Sequence, residues 1–513
     1  MKKQAFNPFL PLDEYIPDGE PHVFGERLYL FGSHDSEGGA RYCAEGNYVG
    51  WSAPLKDPCD WRFEGEIYNA KQDPRATDGN TDLYAPDVVQ GCDGQYYLYY
   101  GLSGPAGEAH VTPIGVAVCD KPCGRYEYLG FVRNPDGSPF LRYLPADPAV
   151  LNDNGVIRLY YGWSLSMVAA AAHGGEAGAA QMEAMKKLDP SILRQQILGA
   201  EMMLFKRTRE ELESYPDGIM GANTVELCDD MLTVRGDARR IVPGQFSAFG
   251  TGFEGHAFYE AASIRRINGI YYFIYSDENS NALCYATSRH PDRDFEFGGV
   301  IISNGDVGYM GRKPEDRLNM TANNHGSLVE INKQWYIFYH RHTHNTTFSR
   351  QACAEPVTIL PDGSIPQVEC SSCGLNGGPL LATLEYPAAI ACNITNGSMP
   401  HATNRIVNED IPFITHDDTC RYITNIHDGT MIVYKLFQFD GPVMLTVTTR
   451  GDGGSFKISI GEVAIGAITV KESAHWTEHS AAIGAPTGTH ALALTYFGAG
   501  TVDLLSFRFN PSA

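Results

Sequence analysis

The sequence predicts an all-β protein, in which a five-bladed β-propeller with a helical insertion precedes a β-sandwich of the jelly-roll type. One aromatic strand phrase recurs five times, helix formers concentrate in one internal segment, and the aromatic repeat ends near residue 379, before a stretch of alternating strands. The 54 glycines and 30 prolines are typical of short strands separated by turns.

Each copy of the repeated phrase begins at a turn that contains Gly or Asn and continues into an aromatic run ending in Gly, Ser or His. The copies span residues 25–33, 93–101, 154–162, 268–276 and 332–340. A turn leading into such a run, after another apolar strand, is typical of a hairpin. One hairpin per blade, five times, predicts a five-bladed propeller. An irregular β-sandwich that repeats a common hairpin is the alternative.

The length of 513 residues exceeds one ordinary core and indicates two domains. We expect the propeller over residues 1–380, a linker over 381–399 and the sandwich over 400–513. Between the third and fourth repeats, runs of Ala, Met, Lys, Leu and Gln predict a helical insertion over roughly residues 166–215.

Charge and composition exclude several classes of partner. The net charge of -22 and pI near 5.1 would repel nucleic acid and anionic membranes, whereas a neutral sugar is compatible. Without an apolar signal-like segment or a long apolar run, we expect a cytoplasmic protein, and its oligomeric state stays open. The close cysteine pairs, Cys119 with Cys123 and Cys370 with Cys373, are expected to be reduced thiols rather than a metal site or disulfides.

Three carboxyl groups stand where inner strands of the predicted blades begin. Asp18 precedes the first repeat, Asp147 opens the third and Glu260 opens the fourth. If these strands line the propeller axis, the three acids converge on one pocket. Glycoside hydrolysis needs one protonated carboxyl and one carboxylate, and a third would raise the pKa of the acid by repulsion. The alternative is that Asp18 and Asp147 only bond turn backbone.

Residues 7 to about 380 resemble glycoside hydrolase family 43, a five-bladed propeller family of inverting enzymes. The motifs that carry the resemblance are the spacing of Asp18 to Tyr29, Tyr84-Ala85-Pro86, Asp147-Pro148-Ala149-Val150, Glu260 ahead of Gly269-Ile270-Tyr271-Tyr272, and Asn324-His325-Gly326-Ser327. The resemblance implies that Asp18 is the general base, Asp147 the pKa modulator and orienter, and Glu260 the general acid.

Two departures from the family pattern leave rivals open. Proline does not follow Asp18 directly, so Glu20-Pro21 competes for the place of the base. Glu260 lacks the Gly-Pro that follows the family's acid, and Glu254-Gly255 imitates it; the spacing to Gly269 favours Glu260.

The resemblance also implies further site residues, and position just after the first aromatic strand adds His34 and Asp35. His325 would lie beside an axial cation, expected to be a structural calcium held mostly by water, with no organic cofactor. Arg350 would lie near the terminal sugar. Tyr84 would stack on a sugar face or belong to the core. His34 and Asp35 are candidates for the pocket wall.

The tail from about residue 400 resembles a family 6 carbohydrate-binding module, which would either bind sugar or brace the propeller. We therefore expect an inverting, exo-acting hydrolase that releases xylose, arabinofuranose or both from small hemicellulose-derived oligosaccharides. An endo-acting arabinanase and a non-catalytic sugar-binding propeller are the alternatives.

Overall fold

The computed structural model describes residues 6–77, 79–104, 110–165, 187–401, 409–418 and 420–511. Five antiparallel sheets follow one another along the first three quarters of the chain, and two larger sheets follow them. The first strands of neighbouring sheets contact one another, β1 with β5 and β17, and β9 with β5 and β13, so these strands line the common axis. The predicted five-bladed propeller is confirmed.

Four blades contain four strands each and the fifth contains three. Their bounds are β1 Glu20–Phe24, β2 Arg27–Phe31, β3 Asn47–Pro54 and β4 Arg62–Asn69; β5 Leu83–Gln90, β6 Tyr96–Leu102, β7 Gly115–Cys119 and β8 Glu127–Phe131; β9 Ala149–Asp153, β10 Val156–Trp163, β11 Gly221–Leu227 and β12 Val234–Pro243; β13 Phe258–Ile267, β14 Ile270–Asp277, β15 Ala282–Ser288 and β16 Glu296–Ser303; β17 Leu328–Ile331, β18 Gln334–His342 and β19 Arg350–Val357. The repeated phrases form β2, β6, β10, β14 and β18, the second strand of each blade.

The N-terminal segment closes the ring beside the three-stranded blade. The Phe9 N–H donates to the Ala352 carbonyl at 3.2 Å, and the Asn7 side chain bonds the backbone of Ala354 in both directions at 2.9 Å. Phe9 packs in one apolar cluster with Leu28 of the first blade and residues of the fifth. First and last blades therefore share one core, which resists opening of the ring.

The predicted insertion lies inside the third blade, between β10 and β11. Its described part contains two helices, α1 at Pro190–Phe205 and α2 at Arg209–Glu213, and residues 166–186 lie outside the described residues. Asp189 caps α1 by accepting the Ser191 N–H at 2.9 Å. Leu198 and Leu212 are buried against the third blade.

The C-terminal domain is a sandwich of two six-stranded sheets. One sheet has the order β20, β25, β30, β27, β28 with β22 beside β25, and the other has β23, β24, β31, β26, β29 with β21 beside β31. The bounds are β20 Leu380–Leu381, β21 Glu385–Pro387, β22 Asn393–Thr395, β23 Phe413–His416, β24 Arg421–Ile426, β25 Met431–Phe439, β26 Val443–Gly451, β27 Gly454–Ile460, β28 Val463–Val470, β29 Ser473–Ile483, β30 Gly488–Phe497 and β31 Val502–Pro511.

The segment 381–399, expected as a linker, instead contributes to the sandwich. Its short strands β21 and β22 add hydrogen bonds to β31 and β25, and Ala388 to Ile390 are fully buried. Strands of three residues are too short for alternation to show in the sequence, which is why this segment resembled a linker.

Among the described residues, none of the helices has the length and apolar character needed to cross a membrane. Cys119, Cys123, Cys370 and Cys373 are free thiols in this structure.

Candidate active site

The three acids predicted from the sequence lie at the N-terminal ends of inner strands. Asp18 stands two residues before β1, Asp147 two residues before β9, and Glu260 is the third residue of β13. The charges of Asp147 and Asp18 both act on Glu260. The Ala261 N–H, next to Glu260, donates to Asp147 Oδ2 at 2.9 Å, which ties the third and fourth blades together at this point. The structure therefore brings the three carboxyl groups into one site.

The backbone at this end of the propeller adopts conformations that L-residues rarely take. Asp18 has φ 56°, Asp147 has φ 46° and Ala261 has φ 68°. Each such residue costs of the order of 1–3 kcal/mol and persists only where the surroundings enforce it. One such residue lies at or next to each of the three acids. The fold therefore gives up some local stability to orient these side chains.

Asp18 is surrounded by one guanidinium and two imidazoles. Arg350 Nη1 donates to Asp18 Oδ1 at 2.9 Å, and Nδ1 of His325 lies 3.9 Å from the same oxygen. His340 Nδ1 lies 3.4 Å from that oxygen and accepts the Asp18 N–H at 3.3 Å. The positive charge of Arg350 stabilises a negative charge on Asp18. Asp18 is thereby suited to act as a base.

Arg350 is itself fixed by Asp35, which lies beneath it. The guanidinium donates to both carboxylate oxygens of Asp35, from Nε at 2.8 Å and from Nη2 at 3.0 Å, and both side chains are buried. Burial acts to lower the pKa of Arg350, but the charges of Asp18 and Asp35 outweigh it and raise that pKa well above its ordinary value. Asp35 therefore supports Arg350, and its expected place in the pocket wall stays a prediction.

Glu260 has the electrostatics of a general acid. Burial raises its pKa well above the ordinary value, and the neighbouring charges of Asp147 and Asp18 raise it further. Burial also raises the pKa of Asp147, while the charge of His325 and the hydrogen bond from Ala261 act in the opposite direction. Since burial and both neighbouring carboxyl groups act on Glu260 in the same direction, its carboxyl group keeps a proton where an ordinary glutamate has lost it.

The other two candidates for pocket residues are His34 and Tyr84. Both ring nitrogens of His34 are engaged, Nδ1 with Asn47 Oδ1 at 2.7 Å and Nε2 with Glu14 Oε1 at 3.2 Å. Tyr84 is half-buried, its carbonyl accepts the Tyr48 hydroxyl at 2.8 Å, and burial raises the pKa of its own hydroxyl. No bond of His34 to the three acids is among the described contacts.

The two rival carboxyl groups are committed elsewhere. Glu20 is buried at the start of β1, where its Oε2 accepts a hydrogen bond from Nη2 of Arg265 at 2.9 Å. Glu254 is exposed and accepts the N–H groups of Gly250 and Gly252 in its own loop. Their positions favour Asp18 and Glu260 as the working pair.

Sequence reasoning missed four neighbours of the acids. His340 contacts Asp18, and the Asn323 side chain forms a hydrogen bond with Glu260. The Tyr42 ring centre lies 4.7 Å from Cζ of Arg350. Tyr259 lies next to Glu260, whose charge acts on it. A signal existed for His340, because it ends the fifth repeat where the other copies end in Gly or Ser. Tyr42 lies in an irregular loop, and nothing in its local pattern distinguishes it.

His340 is held in one neutral form. Its burial, with Arg350 nearby, lowers its pKa well below the ordinary value. Because Nδ1 accepts the Asp18 N–H, the proton stands on Nε2, which lies 3.1 Å from the Asn323 carbonyl. A neutral imidazole here adds no positive charge to that of Arg350 beside Asp18.

His325 is buried near Asp18 but does not belong to a ready-made metal cage. Among the described residues, the two clusters with ligand atoms close enough for a metal are His256, Asp277 and Cys284, and Glu20, His22 and Asp87. The buried amide oxygen Asn304 Oδ1, in the same region, lacks a protein hydrogen-bond partner. One imidazole and one such oxygen fit an ion held mostly by water better than an ion held by protein ligands. These donors are compatible with the expected water-coordinated calcium.

Comparison with known proteins gives matches to both parts of the chain. The model of the glycosyl hydrolases family 43 matches residues 173–365, and that of the carbohydrate binding module (family 6) matches residues 412–511. A xylosidase/arabinosidase of Thermoclostridium stercorarium is 42% identical over 99% of this chain and 99% of its own. A xylosidase/arabinosidase of Bacteroides ovatus is 27% identical over 65% of this chain and 87% of its own.

One solved structure agrees on the fold. A family 43 β-xylosidase/α-arabinofuranosidase from a compost microbial metagenome, in complex with xylotriose and described as a calcium-free form, superposes with a TM-score of 0.50 at 24% identity, covering 72% of this chain and 98% of its own. The full-length similarity to the Thermoclostridium protein and the two domain matches lead to one conclusion: this chain belongs to glycoside hydrolase family 43, is a glycoside hydrolase, and carries a family 6 carbohydrate-binding module.

Proposed function

We propose that this hydrolase is exo-acting and inverting, and that it releases terminal xylose, arabinofuranose or both from hemicellulose-derived oligosaccharides. The observation that carries the proposal is the pairing of opposite environments at one site. Asp18 lies against the Arg350 guanidinium. Glu260 is buried beside two other carboxyl groups, whose negative charge favours the protonated form of Glu260. This is the division into base and acid that glycoside hydrolysis requires. The names of the two xylosidase/arabinosidase relatives support the choice of sugar.

In the proposed reaction Asp18 accepts a proton from a water molecule as the water oxygen attacks the anomeric carbon. Glu260 donates its proton to the glycosidic oxygen, and the bond between that oxygen and the anomeric carbon breaks. Asp18 leaves the step protonated and Glu260 leaves it ionised, and exchange with solvent restores both. Asp147 holds the Ala261 N–H and keeps a negative charge near Glu260, which sustains its proton.

A structural calcium ion near His325 is part of this proposal. The His325 imidazole and the Asn304 amide oxygen would contact the ion or its water shell, and the ion would offset part of the negative charge of the site. The metagenome structure is described as a calcium-free form, which makes calcium the first ion to test here.

The stereochemistry and the site of attack are tested directly. Proton NMR of the first-formed sugar from an aryl β-xyloside and an aryl α-arabinofuranoside should show the anomer opposite to the one cleaved. A retained anomer would contradict the single displacement. Early release of xylose together with only the oligomer one unit shorter from xylohexaose supports exo action, whereas mid-chain cleavage of linear arabinan would favour the arabinanase alternative.

A further inference from the structure

A network of charged groups joins the sandwich to the first blade. Arg421 on β24 has its Nη1 2.7 Å from Glu37 Oε2, and it donates to the Tyr15 hydroxyl at 3.2 Å. His416 on β23 places Nδ1 2.9 Å from Glu37 Oε1. The Glu37 and Arg421 side chains are only 13% and 14% exposed, so this pair is more shielded from water than an ordinary surface pair.

The first blade connects this contact to Arg350. The Tyr15 carbonyl accepts the Asp35 N–H at 3.0 Å, and Asp35 makes the two-bonded contact to Arg350. Arg350 in turn bonds Asp18. Counting from the sandwich, Arg421, Tyr15, Asp35 and Arg350 form one unbroken series of contacts that ends at the proposed base.

A second connection runs beside the first. The Ser349 hydroxyl, next to Arg350 in the chain, accepts the Gly38 N–H and donates to the Ser36 carbonyl, both at 2.9 Å. The loop that carries Glu37 is thus bonded to the residue that precedes Arg350. Both the side chain and the backbone of Arg350 depend on where this loop lies.

The sandwich also contacts the loop that leads into Arg350. The Ile414 N–H donates to the Thr343 carbonyl at 2.9 Å, and the rings of Phe413 and His344 lie 4.8 Å apart. The strand β23 therefore supports residues 343–349 from one side while Arg421 and His416 hold Glu37 from the other.

We propose that Arg421 of the sandwich, together with His416, is a positioning residue for the active site, acting on Asp18 through Glu37, Tyr15, Asp35 and Arg350. The sandwich is then a working part of the catalytic unit and not only a sugar-binding appendage. The inference rests on the proposed role of Asp18.

The expected effect follows from the geometry. Without Arg421, the shielded Glu37 carboxylate loses its main counter-ion, and its loop must move toward water to regain solvation. Displacement of a catalytic group by about 1 Å can lower a rate by about a hundredfold. We expect Arg421→Ala to lower kcat about ten- to a hundredfold with a small change in KM, and Arg421→Lys to recover part of the loss.

The matched control is Arg508→Ala, because Arg508 forms an ion pair with Glu478 on the same sandwich at 3.0 Å, away from this network. Its kcat should stay within about twofold of wild type. Glu37→Gln, which removes the charge without enlarging the loop, should reproduce the loss seen in Arg421→Ala and serves if the latter does not fold. A folded Arg421→Ala or Glu37→Gln protein with wild-type kcat and pH profile would overturn the inference.

A readout independent of activity separates this inference from the proposed function. The buried Cys43 thiol lies 3.4 Å from Arg350 Nη2, and the Cys43 N–H donates to Asp35. Alkylation by iodoacetamide, followed by peptide mass spectrometry, should accelerate at Cys43 in Arg421→Ala but not in Arg508→Ala, while the buried Cys370 stays protected in both. Equal rates at Cys43 in all three proteins would refute the positioning role, and an inactive wild type would refute only the proposed function.

Discussion

Replacing Glu260 by Gln separates the chemistry of the site from its stability. The amide has nearly the shape of the carboxyl group but carries no transferable proton. Because general acid catalysis contributes about 10²- to 10⁴-fold, kcat should fall by this factor, which is about 3–5 kcal/mol of transition-state stabilisation.

The loss should depend on the leaving group. A nitrophenolate departs without protonation, whereas a sugar alkoxide does not, so the full loss is expected with xylobiose and less than about a tenfold loss with a nitrophenyl xyloside. Asp18→Asn should lose activity equally on both substrates, because the water still lacks its base. The assay is a pair of initial-rate measurements for each protein, by sugar release and by absorbance.

The same substitution should not lower the melting temperature. Burial and the charges of Asp147 and Asp18 disfavour ionisation of Glu260, so the native state holds a proton that the unfolded chain loses above about pH 4.3. The stability that Glu260 contributes is therefore lost as the pH rises. A neutral Gln at this position does not titrate, so the variant does not undergo this loss. Equal losses on both substrates, or a clear fall in melting temperature at pH 7, would refute the assignment of Glu260 as a buried general acid.

Three further predictions concern Asp147, the proposed calcium ion and Glu355. Asp147→Asn should lower activity and move the alkaline limb of the pH–rate profile to lower pH, because Glu260 loses the neighbour that raises its pKa; an unchanged profile would leave Asp147 with a purely structural role. Treatment with EDTA should lower activity or melting temperature modestly, and added calcium should restore it; complete loss that only zinc reverses would contradict a structural calcium. Burial raises the pKa of Glu355 to about 7, so its contribution to stability is full below pH 4.5 and is lost as the pH rises through 7. In urea unfolding over this pH range, the wild type should lose up to about 3 kcal/mol of stability relative to Glu355→Gln. Parallel stability curves for the two proteins would refute the shift.

The repeated hairpin could be found from sequence because it depends on local chemistry. A turn residue followed by an aromatic run specifies a strand whatever surrounds it, and five copies became the second strands of five blades. The segment 381–399 failed for the opposite reason, since its strands of two or three residues are defined only by the neighbours they pair with.

The candidate site divides in a similar way. Asp18, Asp147 and Glu260 were found because each stands at the same place relative to a repeat, and the structure brings them together. The salt bridge between Asp35 and Arg350 could not be predicted from the sequence because the two residues are 315 positions apart. Likewise, Tyr42 and Asn323 reach the acids from loops whose local patterns carry no period.

By itself, the sequence determined the number of blades, the presence of a sandwich and the three acids, because strand period, turn chemistry and residue type act over a few neighbouring positions. Only the tertiary structure showed which carboxyl group is buried beside two others, which groups surround Asp18, and that Arg421 of the sandwich contacts Glu37 of the first blade. These properties depend on burial and on charges brought close from distant parts of the chain, and the electrostatic energy of a group is set by its neighbours in space.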